Sequence, residues 1–411
     1  MINEQKKNNY FKTPSRISGI SFTRAICTIG IVFYHYFSRA KGTFKLLRKT
    51  ANSTWGFIFV TTFFCISGTV LYYNYPKIYS LKKFYYKRWK SIFPPFYICY
   101  FYFFLTEAFN SHKLFSRGHW TKIIYTLLGI DGYLSYKIKT YYLVGEWFLG
   151  AIIILYILYP LILLVVNKNI CLSSFLIIIL NFLLLKTNIF VISKFTNLIT
   201  CINSFYFGII SVKYKTVFFE NKSIYFLFCI IFIFLYKIKF KLSIILYLIQ
   251  GFALFIILVQ SNKYIKSIKI RMIINEISIL SYNIYLFHHH IIHDIQNLYN
   301  PEKWYLHLLL LTATLVLSII CAKIHFMTNK CIIQNIIFLL LFIFKFLYFS
   351  IKSYISLTRS FFKLSKESID LILLLFIFVL TKLLIILLYI MIFIIIKTNL
   401  IIMTFSLSYT N

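Results

Sequence analysis

The chain is poor in acid. Ten aspartates and glutamates stand against 44 lysines and arginines in 411 residues, a formal net charge of +34. Proline and glycine are scarce, at 6 and 12, and nowhere gather into a flexible linker. Eight cysteines occur without a single CxxC. Seven fall within apolar runs or at their ends, so they read as small packing residues and not as a disulfide framework or zinc cluster. No internal repeat is visible, although many transporters carry one. Short alternating segments, the mark of a β-barrel, are missing too. No cleavable signal peptide is read at the N-terminus. "MINEQKKNNYFKTPSR" is polar and basic, and the apolar run after it lacks a small-residue cleavage site.

What the chain has is apolar length. Hydrophobic residues make up 60% and mean hydropathy is +0.80, which excludes an ordinary soluble domain. The pattern predicts an all-α, polytopic transmembrane helical bundle. About ten core spans are expected, near residues 21–38, 55–74, 92–109, 141–166, 170–186, 189–212, 223–237, 242–260, 273–293 and 304–325. The chain then divides into a transmembrane domain, 1–330, and a C-terminal hydrophobic extension, 331–411, with one or two further helices. Lysines are scattered between apolar runs and do not form one basic domain, so nucleic acid is not expected as a partner. The bilayer is, because cytoplasmic loops and anionic lipid both favour positive charge. A multi-pass protein of the cell (cytoplasmic or inner) membrane with its N-terminus in the cytoplasm follows. Loops 75–90 and 261–272 obey that topology, whereas the basic loops 39–54 and 237–241 run against it.

Two polar residues interrupt the first run, "TRAICTIGIVFYHYF". Arg24 and His35 are eleven residues apart, or three helical turns plus about 20°, so they share a face about 16 Å apart along the axis. Arg24 reads as a snorkelling anchor or as a charge facing a cavity. His35 reads as a hydrogen-bonded interior histidine or as a base near neutrality. A second cluster, "SILSYNIYLFHHHIIHD", holds His288, His289, His290 and His293, with Ser281 and Tyr285 within about 60° of His288 on the wheel. His289 and His293 have the i, i+4 spacing of zinc ligands, and Asp294 follows. Yet no third ligand is evident and consecutive histidines point in different directions, so no metal is expected. Glu146 in "GEWFLG" is the one carboxylate deep enough to matter, unless it is an interfacial residue beside Trp147. Arg88 in "YYKRWKSIFPPFY" lies at the inner mouth of the third span, where an ordinary positive-inside residue would also lie. Pro94 and Pro95 are expected to open that span, and Ser67-Gly68 to allow close helix approach or a bend. Arginines at the cytoplasmic mouth with imidazoles deeper in suit the docking of an anionic donor followed by general-base group transfer.

These blocks, taken in order, resemble the acyltransferase-3 family of integral membrane acyltransferases. The resemblance runs from about Arg16 to Lys330. "RISGISFTRAICTIGIVFYHYF" matches the family's opening segment, an arginine, ten residues, then a histidine. "FFCISGTVLYY", "YYKRWKSIFPPFY", "GEWFLGAIIILYILYP" and "LSYNIYLFHHHII" are similar to the blocks that follow. The resemblance implies transfer of an acetyl or other small acyl group from cytoplasmic acyl-coenzyme A to a hydroxyl of a cell-surface or lipid-linked glycan. Arg24 and Arg88 would hold the donor's phosphates. His35 would act as base or acyl acceptor, His288 would assist, and Glu146 joins them as a catalytic candidate. The family's second arginine, three residues after the first, is Ser91 here, and Lys90 beside it would substitute as a point charge. The late glutamate motif is replaced by "KIHFMTNK". Two other readings stay open. One is succinyl transfer, as in the branch linked to exported poly-N-acetylglucosamine adhesins. The other is a non-enzymatic transporter, flippase or partner of glycan assembly machinery.

Overall fold

The computed structural model describes residues 19–40, 54–113, 115, 118–141, 143–145, 147–186, 191–237, 244–298, 301 and 304–330. The extension 331–411 lies outside the described residues. Among the described residues the regular structure is helical and no strand occurs. Twelve α-helices follow in order: α1 Ile20–Arg39, α2 Trp55–Asn74, α3 Leu81–Ser111, α4 Ile123–Leu127, α5 Asp131–Leu134, α6 Trp147–Lys168, α7 Ile170–Lys186, α8 Leu198–Lys213, α9 Lys222–Lys237, α10 Ile244–Ser261, α11 Ile268–Leu298 and α12 Trp304–Lys330.

Each of the ten apolar runs overlaps one of these helices, although the run 189–212 is helical only from Leu198 and the run 141–166 only from Trp147. By length and composition, however, five helices among the described residues are able to cross a membrane: α1, α2, α6, α10 with its extension to Tyr264, and α12. The apolar helices α7, α8 and α9 are shorter, 17, 16 and 16 residues. At 1.5 Å per residue each is about 25 Å long, under the roughly 30 Å of a hydrocarbon core. Helices α3 and α11 are each 31 residues, but their first turns carry the lysines and arginines that were read as loop. Pro94 and Pro95 therefore lie inside α3 and do not open it. They deprive the carbonyls of Lys90 and Ser91 of their helical amides.

Helix α2 is apolar all round and packs against α1, α8 and α10. Glycine makes the α2–α8 approach possible. A Cβ on Gly68 would lie 2.0 Å from the carbonyl oxygen of Phe205, and one on Gly208 would lie 2.0 Å from that of Cys65. This is reciprocal small-residue packing, and Thr69 adds a hydrogen bond from its hydroxyl to the Gly208 carbonyl at 3.0 Å. The polar residues that made the run before Lys213 look weak are all satisfied. Asn197 caps α8 by accepting from the Ile199 amide at 2.9 Å. Asn203 and Asn181 exchange amide hydrogen bonds at 2.7 and 2.9 Å. Ser204 donates to the Thr200 carbonyl at 3.1 Å. Buried polar groups in a membrane helix are tolerated when matched in this way. Helix α11 packs along α1, and that pairing builds the site.

Candidate functional site

A cavity of about 330 Å³ lies between α1, α2, α3, α6 and α11. Arg24 and Thr28 line it from α1, Tyr156 from α6, and Ser278, Tyr285 and His288 from α11. Arg24 thus faces this cavity. It is half-buried, as a charge in an apolar helix must be unless it meets polar space. The α11 residues step down the wall from Ser278 through Ser281 and Tyr285 to His288, the polar stripe read from the wheel. Ten residues of helix separate its ends, about 15 Å.

His288 is fully buried. Its Nδ1 is 2.8 Å from the Tyr285 carbonyl. A carbonyl only accepts, so Nδ1 carries the proton and Nε2 holds the lone pair. His35 packs against His288 with ring centroids 5.3 Å apart. His35 stands behind His288 and is not part of the cavity wall. His289, expected to point elsewhere, turns its ring to within 4.3 Å of His288 and 4.2 Å of His35. The ligand nitrogens of the three lie within 4.8 Å of one another. The other histidines do different work. His290 stacks on Phe103 at 3.6 Å and donates to the Leu143 carbonyl at 2.8 Å. His293 is exposed beside Asn297 and Asp294, so the i, i+4 pair with His289 does not converge. His325 donates to Asn283 at 2.7 Å.

Arg88 lies apart from this wall. Its guanidinium sits 5.9 Å from the centre of the Tyr156 ring and 5.4 Å from that of Tyr75, and its buried Nε has no protein acceptor. Tyr156 lines the histidine-ended cavity. Tyr75 lines a second, open cavity of about 950 Å³ that carries Lys77, Lys83, Lys87 and Lys213. The turn over 75–80 is held in place from α6: Tyr159 donates to the Tyr75 carbonyl at 2.7 Å and Asn167 to that of Pro76 at 2.9 Å. Lys213 reaches the Val166 carbonyl at 3.1 Å. Arg88 therefore stands between a cavity rich in ammonium groups and one that ends in the His288 imidazole.

Lys90 is exposed and lines neither cavity. Ser91 does line the imidazole-ended one, its hydroxyl donating to the Arg88 carbonyl at 2.9 Å. Position 91, and not position 90, thus borders that cavity, although both are exposed. Glu146 lies outside the described residues. Among the described residues a buried carboxylate belongs to Asp131, between α4 and α6 and 1% exposed. It accepts from the Gly132 amide at 2.9 Å and the Thr126 hydroxyl at 3.1 Å. Burial pushes its carboxyl up to about 6, against the lowering effect of those two bonds.

The sequence left several of these residues unnamed. Tyr156, the lysines of the open cavity and Asp131 all depend on contacts between distant segments. The twin lysines in "LKKFYYKRWK" were the one local signal for the basic cavity. No curated protein and no solved structure matches the chain. Residues 17–323 match the acyltransferase domain, about three quarters of the length, and that span contains both cavities and all three converging histidines. The chain belongs to the acyltransferase-3 family of membrane acyltransferases.

Proposed function

We propose that this protein moves a small acyl group, acetyl in the first instance, from acyl-coenzyme A at the cytoplasmic face to a hydroxyl of a cell-surface or lipid-linked glycan. The observation that carries this reading is one cavity with a guanidinium, Arg24, on its wall and a buried imidazole, His288, at its end, backed by His35. The donor's phosphates would sit among Lys77, Lys83, Lys87 and Lys213, with Arg88 and Arg24 along the path inward. Charge-assisted hydrogen bonds to phosphate suit guanidinium and ammonium groups. His35 would take the proton of the acceptor hydroxyl as its oxygen attacks the thioester carbonyl. The carbon–oxygen bond forms, the carbon–sulfur bond breaks, and the thiolate leaves with the proton returned by the imidazolium. His288, fixed as the Nε2-basic tautomer by Tyr285, would relay or orient that proton. The ten-span arrangement, with the N-terminus in the cytoplasm, is part of this proposal, and so is glycan assembly machinery as a partner.

The test is deletion of the gene, with mass spectrometry of acyl esters on isolated surface glycan, and complementation by wild type, His35→Ala and His288→Ala. Loss of esters restored by wild type alone is expected. An unchanged ester content in the deletion would remove the acyltransfer reading, and loss of glycan export with normal acylation would favour a transporter. The mass of the lost ester separates acetyl from succinyl.

A further inference from the structure

We propose that His35, His288 and His289 form a binding site for a divalent transition-metal cation of the zinc type. Three imidazoles from two helices converge, with their ligand nitrogens within 4.8 Å of one another. Zinc bound by three histidines at about 2.0–2.1 Å needs its ligand nitrogens roughly 3.4 Å apart. His35 and His289 are half-buried, so small side-chain rotations close that gap without moving α1 or α11. A second observation points the same way. Metal-ligating histidines almost always donate their other ring N–H to a carbonyl or carboxylate, which fixes the tautomer. His288 donates from Nδ1 to the Tyr285 carbonyl at 2.8 Å, which leaves Nε2 as its ligand atom. Imidazole donors without thiolate or carboxylate favour zinc, copper or nickel over magnesium or calcium. Three protein ligands also leave a coordination position open for water or a substrate oxygen.

The consequence for activity rests on the acyltransfer reading. A cation would occupy the ring nitrogens that proton transfer needs, so the filled site would be inactive until the metal is removed. Binding itself does not depend on that reading, and the experiment separates the two. The full chain, carrying a non-histidine affinity tag, is purified in detergent, stripped with chelator and titrated with zinc chloride alone. Metal per chain is measured by elemental analysis, and the ligand shell by X-ray absorption on the wild type. One zinc per chain with three nitrogen ligands near 2.0–2.1 Å is expected. Affinity should fall at least about tenfold in His289→Ala and His288→Ala and stay unchanged in His293→Ala, which alters an exposed residue of the same helix. A shell with sulfur or with fewer than two imidazoles, or zinc binding indifferent to all three cluster histidines, overturns the site. Zinc bound as described with undiminished acyl transfer would leave the site standing and overturn the proton-transfer role given to these imidazoles.

Discussion

Asp131 makes stability depend on pH in a calculable way. Its carboxyl is buried at the start of α5 and is pushed from 3.8 up to about 6. A folded-state value above the unfolded one means that the protonated form is favoured by folding. The stability linked to this group is then complete below the unfolded value, near 4, and is lost as pH rises through about 6. A difference of about two pH units corresponds to about 3 kcal/mol between the two ends of that window. Asparagine at 131 keeps an acceptor for the Gly132 amide, can donate to the Thr126 hydroxyl and does not titrate. Asp131→Asn is therefore expected to match wild type near pH 4 and to exceed it by about 2–3 kcal/mol at pH 8, or several degrees in melting temperature. Thermal unfolding of the detergent-solubilised protein, followed with a thiol-reactive dye from pH 4 to 8, reads this out. Parallel pH profiles for the two proteins, or a variant less stable at pH 8, would refute the argument that burial and not pairing sets the state of this carboxyl.

Further outcomes follow from particular contacts. Gly68→Ala places a methyl carbon 2.0 Å from the Phe205 carbonyl oxygen, so α2 and α8 must separate. A loss of about 1–3 kcal/mol, seen as a lowered melting temperature, is expected. Arg24→Gln removes a charged donor from the cavity wall. With a charge-assisted bond contributing about 1.5–3 kcal/mol, steady-state kinetics of the proposed reaction should show KM for acyl-coenzyme A raised about 10- to 100-fold. Ser91→Arg puts a guanidinium at a position that opens into the same cavity and should lower that KM, whereas Lys90→Ala should leave it unchanged because Lys90 faces out. Tyr282→Phe deletes a hydrogen bond of 3.0 Å to the Ile92 carbonyl, close to Pro94, and should cost about 1 kcal/mol in a thermal shift assay.

Helices were legible because apolar runs of membrane length carry their own signal. Each of the ten runs overlaps a helix, from 21–38 on α1 to 304–325 on α12. Helix starts were less legible. Hydropathy follows apolar surface, not backbone hydrogen bonding, so the basic turns of α3 from Leu81 and of α11 from Ile268 read as loop. That misreading put Pro94 and Pro95 at a helix start. The common face of Arg24 and His35 did not place both on one cavity: Arg24 lines it and His35 does not. The Ser281–Tyr285–His288 stripe was readable from 3.6 residues per turn alone. His289 was not. Adjacent helical residues diverge by about 100°, and only the partner helix α1 gives both rings a common target in His35. The lysine cavity was hidden for a similar reason, since it joins the turn after α2 to Lys213 at the end of α8, well over a hundred residues on.

The sizes of the two cavities bear on how one donor could use both. About 330 Å³ is at the small end of ligand pockets, which run from about 300 to 1,000 Å³. A slender arm with a short acyl group suits that volume, whereas a nucleotide with several phosphates suits the open cavity of about 950 Å³ with its four lysines. Arg88, lying over one tyrosine from each cavity, is where such a molecule would pass from one to the other. Arg24 and His35, three turns apart on α1, then set the reach. On the proposed reaction, a donor held by its phosphates would present its thioester to His288 with its arm extended, and the acceptor hydroxyl would come from the side of α1 where His35 lies. On the proposed reaction, the spacing of two residues on the first helix would decide which face of the protein meets the donor and which meets the glycan.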